Sequence, residues 1–302
     1  MVTMTAGSPD AFRARRIPGS SGLSGEPGRV LVTGATDGLG RYLTRELAGQ
    51  GWDVIAHGRD PRRLATLSEE LGVNTVQADL SSLRAVAALG DRLREQLPAL
   101  HVLVNNAAVG FGAPNAGREV SADGIELRFA VNYLAGYLLT ERLLPLLRNS
   151  APARIVHVAS VGQEPVDPRD DDPLSERSYD GLTAYRRSKL AQVMHTFDLA
   201  ERLSETGVTA NALHPATLMN TTMVAEAGIA ARSSLQEGGR ATMRLIVDPE
   251  LGGVTGRYFD GTEQAAAHPQ AYDRDSRRRL REFSDDLLAK AGLSTAPGSS
   301  GD

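Results

Sequence analysis

Cysteine is absent from this 302-residue chain, which excludes disulfides, thiol nucleophiles and cysteine-ligated metals. The six histidines (57, 101, 157, 195, 214 and 268) are scattered, with no His-x-x-x-His pair, so the spacing of a metal site is missing and no metal is expected. No apolar run approaches the roughly 18 residues that a membrane span needs. An excess of positive charge is missing too: the formal net charge is −4 and the pI is near 5.9, which argues against nucleic acid or an anionic membrane as partner. Arg13, Arg15 and Arg16 are followed by no apolar segment, so a secretory signal is not expected either. A cytoplasmic, soluble enzyme or binding protein is the class that remains.

The last scarcity is lysine. Of 33 basic residues only Lys189 and Lys290 are lysine. One of the two stands four residues after Tyr185, in Ala184-Tyr-Arg-Arg-Ser-Lys189. On a helix that spacing puts both side chains on one face. A compact ammonium there can stabilise a tyrosinate and make the phenol a proton donor near neutral pH.

Short Val/Ile/Leu runs alternate with helical patterns through most of the chain. Strands are expected at 29–33, 53–57, 74–78, 101–105, 153–159, 208–213 and 256–259. Helices are expected at about 39–50, 61–71, 83–96, 123–148, from Tyr185 onward, and at 236–247. Such alternation predicts an α/β, single-domain Rossmann-type three-layer fold, with a central, mostly parallel sheet of about seven strands. The domain would span 28–291, between disordered tails at 1–27 and 292–302, whose Gly, Ser, Pro and Arg show no hydrophobic periodicity.

The first predicted strand runs straight into Thr33-Gly-Ala-Thr-Asp-Gly-Leu-Gly40 and then a helix. Glycines permit a tight turn and close approach of backbone to a pyrophosphate, and the helix N-terminus favours negative charge. Gly34, Thr36, Asp37, Gly38, Leu39 and Gly40 are therefore candidate cofactor contacts.

The Gly-x-x-x-Gly-x-Gly spacing resembles the short-chain dehydrogenase/reductase family, and further motifs follow in that family's order. They are Asp79-Leu80 at the end of the third strand, Asn105-Asn106-Ala107-Ala108 at the end of the fourth, Asn132 in the long helix, Ser160 after the fifth strand, and Tyr185 with Lys189. The likeness covers about residues 28–260. It implies an oxidoreductase moving a hydride between nicotinamide and a carbonyl/alcohol pair. Tyr185 would be the proton donor or acceptor, and Lys189 would lower its pKa and hold the nicotinamide ribose. Ser160 would bind the substrate oxygen, and Asn132 would hold a water leading from Lys189 to solvent. Asp79 and Leu80 would lie at the adenine, with Asn105, Asn106 and Ala107 lining the cofactor site.

The cofactor's identity turns on the end of the second strand, Ala56-His-Gly-Arg59-Asp60. NAD enzymes place a carboxylate there for the ribose 2′-hydroxyl. Here Arg59 resembles a 2′-phosphate binder, and Asp53 lies at the opposite end, so NADP(H) is expected over NAD(H). Arg41 is a candidate helper.

Three departures qualify the likeness. Ala108 stands for a Gly, a change that matters only where the backbone needs positive φ. His214-Pro215-Ala216 replaces the family's Pro-Gly, and Thr221 falls one position after the usual nicotinamide-amide binder. Ser160 and Tyr185 are 25 residues apart, so 163–183 reads as an insertion. Its placement resembles the retinol dehydrogenase and protochlorophyllide reductase-like branch. Residues 216–240, with Leu218, Met219, Met223, Val224, Ile229 and Leu235, read as an apolar substrate lid and suggest a lipophilic substrate. The alternative to an enzyme is a catalytically silent nucleotide-sensing protein on the same fold; an extended-type epimerase or dehydratase is disfavoured by the glycine spacing. Sequence leaves the substrate's identity, the direction of reaction and homo-oligomer formation open.

Overall fold

Val30, Leu31 and Val32 show why a strand forms after Gly28: all three are completely buried, and alternate side chains face opposite layers. Leu31 joins one apolar cluster with Ile55, Leu103 and Ile155. Val30 and Val32 join the other with Val54, Val102, Val104 and Val156. A sheet apolar on both faces must be covered on both, and parallel strands joined by helical crossovers achieve that.

The structure, a computed structural model, describes residues 3–4, 27–113, 116–170 and 172–296. Seven strands run parallel: β2 (Arg29–Val32), β3 (Asp53–Gly58), β4 (Asn74–Gln77), β5 (Val102–Asn105), β6 (Ala153–Val158), β7 (Val208–His214) and β8 (Arg257–Asp260). Short antiparallel strands, β1 (Thr3–Met4) and β9 (Glu263–Ala265), flank them, giving the order β1-β4-β3-β2-β5-β6-β7-β8-β9. The expected sheet of about seven mostly parallel strands is therefore present, with an antiparallel edge added at each side. Strand order reverses between β2 and β5, and the crevice beyond the carboxyl ends of those strands is where such folds take ligands.

Helices α1 (Gly38–Gly49), α2 (Pro61–Leu71) and α7 (Leu235–Val247) contribute to one apolar layer. Helices α3 (Leu83–Gln96), α4 (Ala135–Asn149), α5 (Gly181–Arg202) and α8 (Arg274–Lys290) contribute to the other. Their boundaries are set by local chemistry. Asp60, before Pro61, accepts from the Arg62 and Arg63 N–H groups, and Gly72 ends α2 at φ 65°. Asp180 accepts from Thr183 N at 2.7 Å, so α5 starts at Gly181, a turn earlier than the expected start at Tyr185.

Other expectations shift for physical reasons. The helix expected from 123 starts at 127, because Ser121–Gly124 form a turn and Val120 bridges to Glu126. A π-helical turn, Phe129–Leu134, then precedes α4. Helix α8 was not foreseen: its charges hide an apolar stripe of Leu280, Phe283, Leu287 and Leu288. Residues 292–296, expected to belong to a tail, are tied down. Leu293 N donates to Leu288 O, and Arg142 donates to Ser294 O at 2.8 Å. The N-terminal tail expectation falls largely on residues outside those described, as does 297–302. Among the described residues, no helix is long and apolar enough to cross a membrane.

Candidate active site

The turn after β2 is glycine-dependent at identifiable points. Gly34 and Gly38 have φ of 67° and 48°, a region that costs any other residue strain. Gly40 is needed for space, since a Cβ there would run into the Gly34 carbonyl and lie 2.6 Å from Asn106 Nδ2. Neighbouring side chains brace the turn. Thr33 Oγ1 accepts from Asn106 N at 2.9 Å and Ala107 N at 3.0 Å, while Asn106 Nδ2 donates to Thr33 O at 2.8 Å. Beneath it, His57 Nδ1 accepts from Gly34 N and Nε2 donates to Ala78 O, both at 3.2 Å. Those partners fix a neutral tautomer, and burial holds the His57 pKa down to about 4.

Among the other predicted loop residues, Asp37 caps α1, accepting from Gly38 N at 2.7 Å and Thr222 Oγ1 at 2.9 Å, with Arg63 at 3.4 Å. Burial raises its pKa, but these bonds and Arg63 outweigh that and leave it below the usual value. Leu39 and Leu80 are buried in the apolar layers, so only their backbone can face a cofactor. Thr36 packs its methyl against Gly58. Asp79 accepts from Ser81 N and Oγ at 2.9 and 2.8 Å and stays exposed. Asn105 is buried and donates to Thr140 Oγ1 at 2.9 Å, which makes it a brace between β5 and α4. Arg59 is exposed just past β3. Asp53, at the other end of that strand, is paired with Arg29 at 2.6 Å. Arg41 is paired with Glu70 at 2.5 Å. Ala108 takes no positive φ, so its replacement of Gly is harmless.

Asn132, Ser160, Tyr185 and Lys189 come together at the carboxyl ends of β5 and β6. Tyr185 is half-buried; burial raises its pKa, and a hydrogen bond with Ser160 partly offsets this. Lys189 lies with Nζ 5.6 Å from the Tyr185 ring centre. It donates to Val158 O and Gln192 Oε1, both at 2.9 Å. Burial brings its pKa down to about 7. An ammonium has three protons, so one is left for a ligand such as a ribose hydroxyl. In the protein alone, then, burial of the phenol dominates over any help from Lys189. Asn132 is committed to protein partners: Oδ1 accepts from Val109 N at 2.7 Å, and Nδ2 donates to Val109 O at 3.1 Å and Ser188 Oγ at 3.0 Å. Only one Oδ1 lone pair remains for the expected water. The glycine turn, the spare Lys189 proton and the exposed Arg59 fit a dinucleotide. Among the described residues no cluster of three or more His, Cys, Asp or Glu is placed to hold a metal.

Thr221 caps α6 (Thr222–Glu226), accepts from Val224 N at 3.4 Å and packs its methyl toward Gly38. It therefore stands at the glycine turn. Residues 216–240 touch the segment after β5 as well, where Met223 fills the space a Cβ on Gly110 would need.

Several wall residues escaped sequence reasoning. Phe111 meets Tyr185 edge-on, with ring centres 5.8 Å apart. Tyr258 Oη donates to Ser160 O at 2.9 Å, and Gln163 Nε2 donates to the same oxygen at 3.1 Å. Gln192 was one helical position from being noticed, at i+3 from Lys189. The insertion is anchored: Gln270 makes a two-way bridge to Val166 at 3.0 and 2.8 Å, and Asp172 accepts from the N–H groups of Glu176, Arg177 and Ser178. Asp172 thus organises a turn within the insertion.

A family model described as short chain dehydrogenase matches residues 29–231. The chain is similar to human retinol dehydrogenase 14, at 36% identity over 87% of this chain and 88% of that protein. It is also similar to human retinol dehydrogenase 13, at 33% identity over 84% and 82% of the two chains. Among solved structures, an uncharacterized protein from Mycobacterium paratuberculosis matches with TM-score 0.71 and 25% identity, over 88% of this chain and 96% of that one.

Proposed function

Because the chain belongs to the short-chain dehydrogenase family, in its retinol dehydrogenase branch, and is an NAD(P)-dependent oxidoreductase of the alcohol/carbonyl class, we propose that it uses NADP(H) on a lipophilic ketone, aldehyde or alcohol, with Tyr185 as acid/base. The observation carrying this reading is the convergence of the Tyr185 and Ser160 hydroxyls beside Lys189, across the crevice from the glycine turn.

The bound nicotinamide supplies or accepts the hydride. The protein's part is to hold the substrate oxygen and manage its proton. Ser160 orients that oxygen, and its own carbonyl is locked by Tyr258 and Gln163. Tyr185 gives its proton to the nascent alkoxide, or takes one from an alcohol. The raised pKa of the phenol in the protein alone keeps it protonated and ready to donate. Loss of that proton is favoured by any added positive charge nearby. Lys189 is placed to supply one and to reach a ribose hydroxyl with its third N–H.

Two features favour NADP(H). Arg59 is exposed at the end of β3, where an NAD enzyme would carry a carboxylate. Arg63 follows one helical turn later and forms an exposed pair with Asp37, the kind of pair that is easily exchanged for a phosphate. Lipophilicity is favoured by Val161, next to Ser160, Leu182, in the first turn of α5, and Ile229, within 216–240, which expose 56%, 39% and 40% of their surface. A cytoplasmic location is proposed with this reading. The test is turnover of a panel of lipophilic ketones with NADPH and with NADH. NADPH should be preferred, and Arg59→Ala should raise its KM about 10- to 100-fold, the worth of one charge-assisted hydrogen bond, while NADH is unaffected. An unchanged preference removes Arg59 and the NADP(H) reading with it.

A further inference from the structure

Arg128 is among the largest fully buried side chains in the protein, and no motif accounts for it. A guanidinium out of water is costly unless every donor direction is used, so its partners show what it holds. Nε donates to Gly110 O at 3.0 Å, and one terminal nitrogen pairs with Glu119 at 3.1 Å. The other lies 3.5 Å from Glu126, which is itself buried and accepts from Phe129 N at 2.7 Å. The guanidinium carbon lies 5.7 Å from the centre of the Tyr179 ring, within cation–π range.

These partners belong to two walls of the active-site mouth. Gly110 and Glu119 lie in the segment leaving β5, and Tyr179 lies in the insertion before α5. Arg128 and Asn132 are four residues apart on one helix face, and they pin successive residues of the same segment: Asn132 grips the Val109 backbone at both N and O, and Arg128 grips Gly110 O. The next residue is Phe111, whose ring meets Tyr185 edge-on at 5.8 Å. The Phe111 carbonyl in turn closes against Gly181, where a Cβ would clash.

We infer that Arg128 is a positioning residue for substrate binding: it fixes Phe111 edge-on against the Tyr185 ring and joins the insertion to that wall, so that the carbonyl group of a lipophilic substrate is held at Tyr185. The inference rests on the oxidoreductase reading above. Arg128 touches neither the reacting atoms nor the glycine turn, so its effect should appear in the substrate's KM and leave the cofactor's alone.

The test uses the full chain with NADPH and whichever ketone the parent reduces best. Arg128→Gln should raise the ketone KM by on the order of tenfold, as small misplacements of positioning groups do, with the NADPH KM within about twofold. Phe111→Ala should have a similar effect, and the double variant should be no worse than Phe111→Ala alone, because both changes act through one ring. Losing Arg128 leaves Glu126 buried and unpaired, so Glu126→Gln/Arg128→Gln serves where the single variant does not fold. Hydrogen exchange gives a readout without activity: the 109–113 amides should lose protection in the variant while 34–40 keep theirs. Additive KM effects, an equal rise in the NADPH KM, or unchanged protection at 109–113 would each overturn the inference. A parent that oxidises NADPH with no ketone sinks the oxidoreductase reading instead, and the exchange measurement then decides the role of Arg128 alone.

Discussion

The two halves of the crevice are built by different means. On the cofactor side, consecutive residues of one turn meet the ends of neighbouring strands, and most of the fixing bonds involve backbone: Gly34 N to His57, Asn106 N and Ala107 N to Thr33, Asn106 Nδ2 to Thr33 O. On the substrate side, side chains from distant segments lock loops together. Arg128 holds Gly110 and Tyr179, and Gln270 holds Val166. A wall made of strand ends tolerates little change in sequence and serves one ligand class. A wall made of side-chain clamps can be re-cut by changing the clamp. The cofactor half is thus fixed by the turn and the strand ends themselves, and the substrate half by its clamps.

This contrast can be broken most forcefully at Gly40. A methyl there meets backbone on one side and Asn106 on the other, and neither can move without disturbing β2 or β5. Gly40→Ala should weaken NADPH binding by about 5- to 150-fold, given an overpacking cost of roughly 1–3 kcal/mol focused on the binding turn. The 109–113 amides should exchange as in the parent. Fluorescence titration of NADPH together with exchange would show it, and loss of protection on both sides would mean that the halves are not separately built.

Acid should act next most strongly, and through the cofactor half's own brace. His57 and His157 are buried with pKa values brought down by burial to about 4 and about 3. Both are neutral in the folded protein, while in the unfolded chain they take up protons below about pH 6.5. Their contribution is fully present above pH 6.5 and is lost as pH falls toward 4, with His57 alone worth on the order of 3 kcal/mol. Thermal melts from pH 7 to pH 4 should show a steep fall, reduced in a His57→Asn variant. A flat profile would mean that the imidazole is not held neutral beneath the turn.

The same contrast explains what could be read from the sequence. Every predicted parallel strand is present: the central ones are Val/Ile/Leu runs buried throughout, and β4 and β8 bury their two middle residues. The glycine turn and the Tyr185–Lys189 pair are legible because their spacing is local and, for the pair, because lysine is scarce here. Arg128 was not legible, for its role depends on Gly110 and Tyr179, far away in sequence and unremarkable in type. Helix α8 was missed because five arginines among residues 274–281 mask a stripe of apolar residues. Thr221, one position past the usual nicotinamide-amide binder in sequence, packs its methyl toward Gly38 of the cofactor turn, a placement that spacing alone does not give.

The central claim is that the Tyr185 hydroxyl carries the proton of a hydride transfer. Tyr185→Phe removes one oxygen and keeps the ring against Phe111. Measured by NADPH oxidation with the best ketone of the panel, turnover should fall by about 100- to 10,000-fold, the usual worth of a positioned proton donor, while NADPH affinity stays within about twofold. Turnover equal to the parent's, with NADPH bound as before, would contradict the account.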